Sequence, residues 1–183
     1  FDSESYTYGY SFSKELLDEW HWTERFSPQP ETLKYLNYVA DKFDLRQHMQ
    51  FDCFVDAMDF DDDAHVWHLS LRDGRTITCR FVIAALGVLS VPTLPRFEGM
   101  DDFAGESFHP FEWPDPAPDL SGKRVAVIGT GATAIQLIPE VAKQAEHLTV
   151  FQRRPNWAVP LGNGLISDEE MADIRSRYDD IFD

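Results

Sequence analysis

Arg124-Val-Ala-Val-Ile-Gly129-Thr130-Gly131-Ala132-Thr133-Ala134 carries the pattern of a strand, a glycine turn and a helix start. The apolar run ahead of Gly129 predicts a buried strand, and the residues after it predict a helix over 133–144 with Ile135, Leu137, Ile138 and Val141 inward. Leu148-Thr-Val-Phe151 predicts a second buried strand. Strand, helix and strand in succession imply parallel pairing through a right-handed crossover, hence an α/β fold. Between strand and helix the spacing is G-x-G-x-x-A, in the context that a dinucleotide-binding turn requires. Gly129 permits the tight turn, Gly131 lets backbone approach a pyrophosphate, and Ala134 is small enough for close helix–strand packing. The helix start offers free N–H groups and a positive dipole end to an anion. A plain strand–helix turn is the alternative.

The residues after the second strand select the coenzyme. An NAD site places Asp or Glu there for the ribose hydroxyls. Here Phe151 is succeeded by Gln152-Arg153-Arg154. Guanidinium groups match a 2′-phosphate in charge and in bidentate geometry, which favours NADP over NAD. Two solvated arginines on a loop would look the same in sequence.

Nearer the N-terminus, Ser13 to Trp20 predicts a short helix capped by Ser13, with Leu16, Leu17 and Trp20 on one face. Pro28 and Pro30 suit the first turn of a second helix, whose apolar stripe is Leu33, Leu36, Ala40 and Phe43. Alternation from Phe51 through Ala57, from Trp67 through Leu71 and from Ile77 through Phe81 predicts an antiparallel meander over residues 50–81, with turns at Asp61-Asp62-Asp63 and Asp73-Gly74. Val82-Ile83-Ala84-Ala85 is apolar on both faces and predicts a covered parallel strand ending at Gly87. Residues 92–122, rich in Pro, Gly and Asp, form the candidate boundary between residues 1–91 and residues 123–183. Residues 167–182 predict a helix opened by a capping box of Ser167 and Glu170.

The formal net charge of −16 repels phosphate backbones and anionic headgroups, which excludes nucleic-acid and membrane partners as expectations. Cys53 and Cys79 form no CxxC pair and are expected to be reduced core residues of a cytoplasmic protein. No metal is expected. His65 and His68, three apart on a strand, would face opposite ways, and Asp61 to Asp63 lack the spaced ligands of a calcium loop. No apolar stretch approaches the ~20 residues of a spanning helix. The abrupt start at Phe1-Asp2-Ser3 reads as a piece of a longer protein.

The connector holds Phe103-Ala-Gly105-Glu-Ser-Phe-His109-Pro-Phe-Glu-Trp113-Pro114. By physics alone this is a loop histidine among aromatics. The stretch resembles the Baeyer–Villiger monooxygenase fingerprint F-x-G-x-x-x-H-x-x-x-W-P/D, with Phe103, Gly105, His109, Trp113 and Pro114 in place. Asp2 to Tyr8, Trp20 to Arg25, Ala40 to Leu45 and Phe151 to Pro155 are also similar to family segments. The resemblance implies a Rossmann-like NADP-binding βαβ domain joined to part of an FAD-binding domain that contains the meander, with FAD and NADPH as cofactors. It implies insertion of one oxygen atom of O2 next to a ketone carbonyl, giving an ester or lactone.

Residue by residue, it implies that Asp2 is the acid beside flavin and nicotinamide. Tyr8, the backbone of Val55 and the turn at Gly87 would meet FAD, although Leu86 departs from the usual small polar residue of that turn. Gly129 to Ala134 would hold the NADP pyrophosphate and Arg153 the 2′-phosphate. Arg154 stands where family members can have Thr. His109 and Trp113 would couple movement of the NADP domain to catalysis. A flavin monooxygenase acting on amines or sulfides, which usually lacks the Trp-Pro ending, and a non-catalytic NADP-binding piece are the other readings. The 183 residues by themselves are expected to hold FAD poorly and not to turn over.

Overall fold

In the computed structural model, residues 3–183 are described, so Asp2 lies outside the described residues. The chain divides into two units, residues 1–82 with 160–183 and residues 83–159.

In the first unit Ser13 starts helix α1 (Lys14–Glu19), its Oγ accepting the Leu16 N–H at 3.3 Å. Helix α2 (Gln29–Lys42) opens at Pro28. Its buried face differs from the expected stripe: Glu31, Tyr35, Val39 and Ala40 are buried, whereas Leu33, Leu36 and Phe43 are exposed. The row at intervals of four wins because Tyr35 packs on Trp22, ring centroids 5.0 Å apart, and because residues far along the chain complete that side.

Those residues come from 160–183. Ile166, Met171, Ile174 and Tyr178 join Leu16, Trp22, Tyr35 and Val39 in one buried cluster. Backbone bonds fix the docking, Arg25 N–H to Gly164 O at 2.9 Å and Ile166 N–H to Thr23 O at 3.0 Å. This segment, expected to go with the βαβ element, has its apolar face spent on α1 and α2. The single helix expected over 167–182 is two, α4 (Asp168–Ser176) and α5 (Tyr178–Phe182), interrupted at Arg177. The capping box is half made. Ser167 Oγ accepts the Glu170 N–H at 3.1 Å, but the Glu170 carboxylate takes Arg25 at 2.8 Å instead of reaching back.

Buried Glu31 ties the turn after Trp22 to α2. Its carboxylate accepts Thr23 N–H at 2.8 Å, Thr23 Oγ1–H at 2.7 Å and Ser27 Oγ–H at 2.6 Å. Glu31→Ala strands these donors and lowers stability by about 1–3 kcal/mol or more, read as a shifted urea midpoint; an unchanged midpoint contradicts this role.

Strands β1 (Val55–Asp61), β2 (Val66–Leu71) and β3 (Thr76–Cys79) form the expected antiparallel meander in sequence order. The first strand starts at Val55 rather than near Phe51, and pairing is bulged between Val55 and Ala57. Asp61 Oδ1 closes the first turn on the N–H groups of Asp63 and Ala64, and Gly74 takes φ +87° in the second, a value glycine adopts without strain. Two expectations change here. Cys53 precedes β1 and Cys79 ends β3, and both are half-buried rather than core. His65 sits in the turn, at φ +53°, and not on a strand; His68 faces Asp61 and Thr78. Among the described residues no group of three His, Cys, Asp or Glu side chains could hold a metal.

In the second unit β4 (Arg124–Ile128), α3 (Ala132–Ala142) and β5 (His147–Phe151) make the βαβ element, the strands parallel and in register. Both strands were expected to be buried. Val125, Val127 and Leu148 are half-buried, while Ile128 and Phe151 are exposed, because α3 covers one face only. Within α3, Val141 is buried but Ile135 is exposed. The strand expected at 82–85 is absent: residues 81–89 are irregular, with Phe81, Ile83, Leu86, Val88 and Leu89 exposed. An apolar run becomes a strand only where a neighbour takes up its N–H and C=O groups, and no described strand pairs with it.

Candidate dinucleotide site

At the end of β4 the chain turns through Gly129 at φ +108°, a region closed to ordinary L side chains. Its own N–H extends the sheet ladder to Phe151 O at 2.8 Å. Gly131 caps α3. A Cβ there would meet only the Asn156 amide nitrogen, at 4.0 Å, so the space over the turn is left open by the protein. The first bond of the helix ladder is Ile135 N–H to Gly131 O at 3.0 Å. The N–H groups of Ala132, Thr133 and Ala134 therefore stand outside the ladder at the positive end of the helix.

The segment after β5 braces this turn. Gln152 Nε2 donates to Thr130 Oγ1 at 2.9 Å, and the Asn156 amide donates to Thr130 O. Beside the turn lies a cavity of about 660 Å3 that Gly129, Thr130, Arg153, Arg154 and Asn156 help to line, with Arg96 and Phe97 from the connector. No carboxylate lines it, and among the described residues Arg96, Arg153 and Arg154 form no ion pair. An open glycine turn and unpaired guanidinium groups on one cavity, with the free N–H groups of the helix start next along the chain from that turn, can hold a phosphorylated dinucleotide. Sequence reasoning missed Arg96 and Asn156. Neither belongs to a spaced motif, and only the folded connector brings Arg96 to the turn.

The fingerprint residues form a local structure of their own. The Phe103 ring lies over Gly105, where a Cβ would come within 2.6 Å of it and push the exposed ring aside. His109 Nδ1 accepts the Phe111 N–H at 3.1 Å, capping a 3-10 turn over Pro110–Glu112. That bond places the proton of the neutral ring on Nε2. Trp113 meets Phe108 edge to face at 5.0 Å, and Pro114 comes next, half-buried. His109→Asn, whose Oδ1 can accept the same N–H, keeps the turn, whereas His109→Leu loses about 0.5–1.5 kcal/mol of local stability. Hydrogen exchange at Phe111 checks this; equal exchange in both variants contradicts it.

Tyr8 ends a 3-10 turn (Ser5–Tyr8) and lines a cavity of about 290 Å3 with Tyr10, Trp22, Thr32, Tyr35 and Leu36. Burial raises the Tyr35 hydroxyl above the ordinary phenol range, and that oxygen accepts the Tyr10 N–H at 2.8 Å. Val55 opens β1 and does not line this cavity, while Gly87, at φ +72° in the irregular segment, belongs to the second unit. The residues at the Gly129 turn can thus hold the phosphates of a dinucleotide.

Residues 11–164 match the family model described as flavin-binding monooxygenase-like. The chain belongs to this family. Among relatives of the flavin-binding monooxygenase-like chain, 2-oxo-Delta(3)-4,5,5-trimethylcyclopentenylacetyl-CoA monooxygenase of Pseudomonas putida is 46% identical over 188 residues, covering 100% of this chain and 34% of that protein. Acetone monooxygenase (methyl acetate-forming) of Gordonia sp. (strain TY-5) is 41% identical over 183 residues, covering 100% and 34%. The crystal structure of OTEMO in complex with FAD and NADP superposes with a TM-score of 0.88 at 47% identity, covering 98% of this chain and 35% of that one. The chain thus spans about a third of the length of the curated relatives it matches.

Proposed function

We propose that the full-length protein carrying this chain is an FAD- and NADPH-dependent Baeyer–Villiger monooxygenase. It would insert one oxygen atom of O2 next to a ketone carbonyl to give an ester or lactone, and this chain would supply its NADPH phosphate site and fingerprint connector. The observation that carries the reading is the cavity shared by the Gly129–Thr130 turn and the guanidinium groups of Arg153 and Arg154. The acetone relative, named for forming methyl acetate, and the OTEMO complex with FAD and NADP support the reaction class and the cofactors.

The cofactors supply the hydride and the activation of oxygen when bound. In this chain the N–H groups of Ala132, Thr133 and Ala134 take the pyrophosphate oxygens, and Gly131 keeps side-chain atoms out of their way. Arg153, with Arg154 beside it, takes the 2′-phosphate. Gln152 and Asn156 hold Thr130, and hence the turn, in shape. Asp2 is proposed as the acid next to flavin and nicotinamide, with Tyr8, Val55 and Gly87 as flavin contacts. Phe103, Gly105, His109, Trp113 and Pro114 form the element through which coenzyme binding reaches the reaction.

No helix among the described residues is long and apolar enough to cross a membrane. The net charge of −16 disfavours nucleic acid and anionic lipid as partners, and we place the enzyme in the cytoplasm acting on small ketones, as the name of the acetone relative suggests. The test is product analysis with purified full-length protein, NADPH, isotopically labelled O2 and paired ketone and sulfide substrates. An ester or lactone carrying one labelled atom is expected. Sulfoxide without ester from any ketone tried would replace this reading by heteroatom oxidation.

A further inference from the structure

We propose that Arg96, on the connector, is a third cationic ligand of the coenzyme's 2′-phosphate and sets the preference for NADPH over NADH together with Arg153 and Arg154. The inference rests on the coenzyme reading above and adds a residue from a different part of the chain.

Three observations carry it. Arg96 lines the same cavity as Gly129, Thr130, Arg153 and Arg154, although no motif links it to them. The chain has 32 acidic residues against 16 Lys and Arg, so an exposed guanidinium has carboxylates in surplus around it. Arg25, Arg46, Arg72, Arg75 and Arg177 each hold one, whereas Arg80, Arg124 and Arg175 hold none among the described residues but line no common cavity with another arginine, so the mark of the site is that three unpaired guanidinium groups share one cavity. Arg96, Arg153 and Arg154 hold none among the described residues, and no carboxylate lines their cavity. Unpaired cations gathered on one cavity of an anionic protein mark the seat of an anion.

The coenzyme offers two kinds of phosphate. Backbone N–H groups at the helix start already serve the pyrophosphate, as in other strand–turn–helix sites. The 2′-monoester carries about −1.5 to −2 charges and three strong acceptor oxygens. One guanidinium engages two of those oxygens at best, so a further cation has both charge and acceptors left to meet. Arg96 also lies on the same connector as the fingerprint, ahead of its first residue Phe103, which makes the phosphate of the coenzyme a handle on that connector.

The test is calorimetric titration of the full-length protein with NADP+ and with NAD+ at fixed ionic strength, for Arg96→Ala, Arg96→Lys and Arg153→Ala. Arg96→Ala is expected to weaken NADP+ binding roughly tenfold while NAD+ stays within about twofold, and Arg96→Lys to recover part of the loss. If Arg96→Ala weakens both coenzymes equally, or neither, while Arg153→Ala still separates them, Arg96 does not read the 2′-phosphate and the proposal falls alone. If Arg153→Ala also fails to separate them, the coenzyme reading of the cavity falls and takes this proposal with it.

Discussion

Replacing Arg153 with alanine lowers the affinity for NADPH roughly ten- to a hundredfold and leaves that for NADH almost unchanged. The reason is local. Arg153 lines the cavity beside the Gly129 turn, no carboxylate shares that cavity, and the residue comes just after β5, where an acidic side chain would serve NAD. Removing it takes away a charged hydrogen bond to the one group by which the two coenzymes differ. Arg154→Ala has the same sign and a smaller size if Arg153 makes the bidentate contact. Titration of the full-length protein with both coenzymes reads the effect, and an equal loss for NADPH and NADH contradicts it.

The second large effect is on the fold. Trp22 is 1% exposed and its ring packs on Trp20 and Tyr35, at 5.8 and 5.0 Å between centroids. The cluster around it takes side chains from α1, α2, α4 and α5, so it joins residues 160–183 to the N-terminal helices. Trp22→Ala opens a cavity there and costs about 3–5 kcal/mol, a large part of the roughly 5–15 kcal/mol that holds a domain folded. Hydrogen exchange should speed up together at Val39, Ile166 and Ile174. Unchanged protection at Ile166 and Ile174 contradicts the shared core.

What the sequence made legible was what is settled locally. The β4–turn–α3–β5 element is contiguous, and its strand periodicity and glycine spacing lie within one stretch, so the turn geometry could be read directly. The buried face of α2 was not legible. Leu33 and Leu36 are more apolar than Tyr35, yet Tyr35 is buried because Trp22, Met171 and Tyr178 complete that side, and nothing near α2 in sequence announces them. The strand at 82–85 failed for the opposite reason: its composition was right, but pairing is a property of a neighbour. Glu170 looked like half of a capping box and found Arg25 instead. In the site, Arg153 was legible through the carboxylate it replaces, whereas Arg96 lies between Pro95 and Phe97 in a loop with no period at all.

Whether the cavity beside residues 129–134 seats the phosphates of NADPH is best measured by a crystal structure of the full-length protein with NADP+. The pyrophosphate is expected against the N–H groups of Ala132 to Ala134, and the 2′-phosphate about 2.7–2.9 Å from the Arg153 guanidinium. A 2′-phosphate held elsewhere, with Arg153 turned to solvent, would contradict that placement.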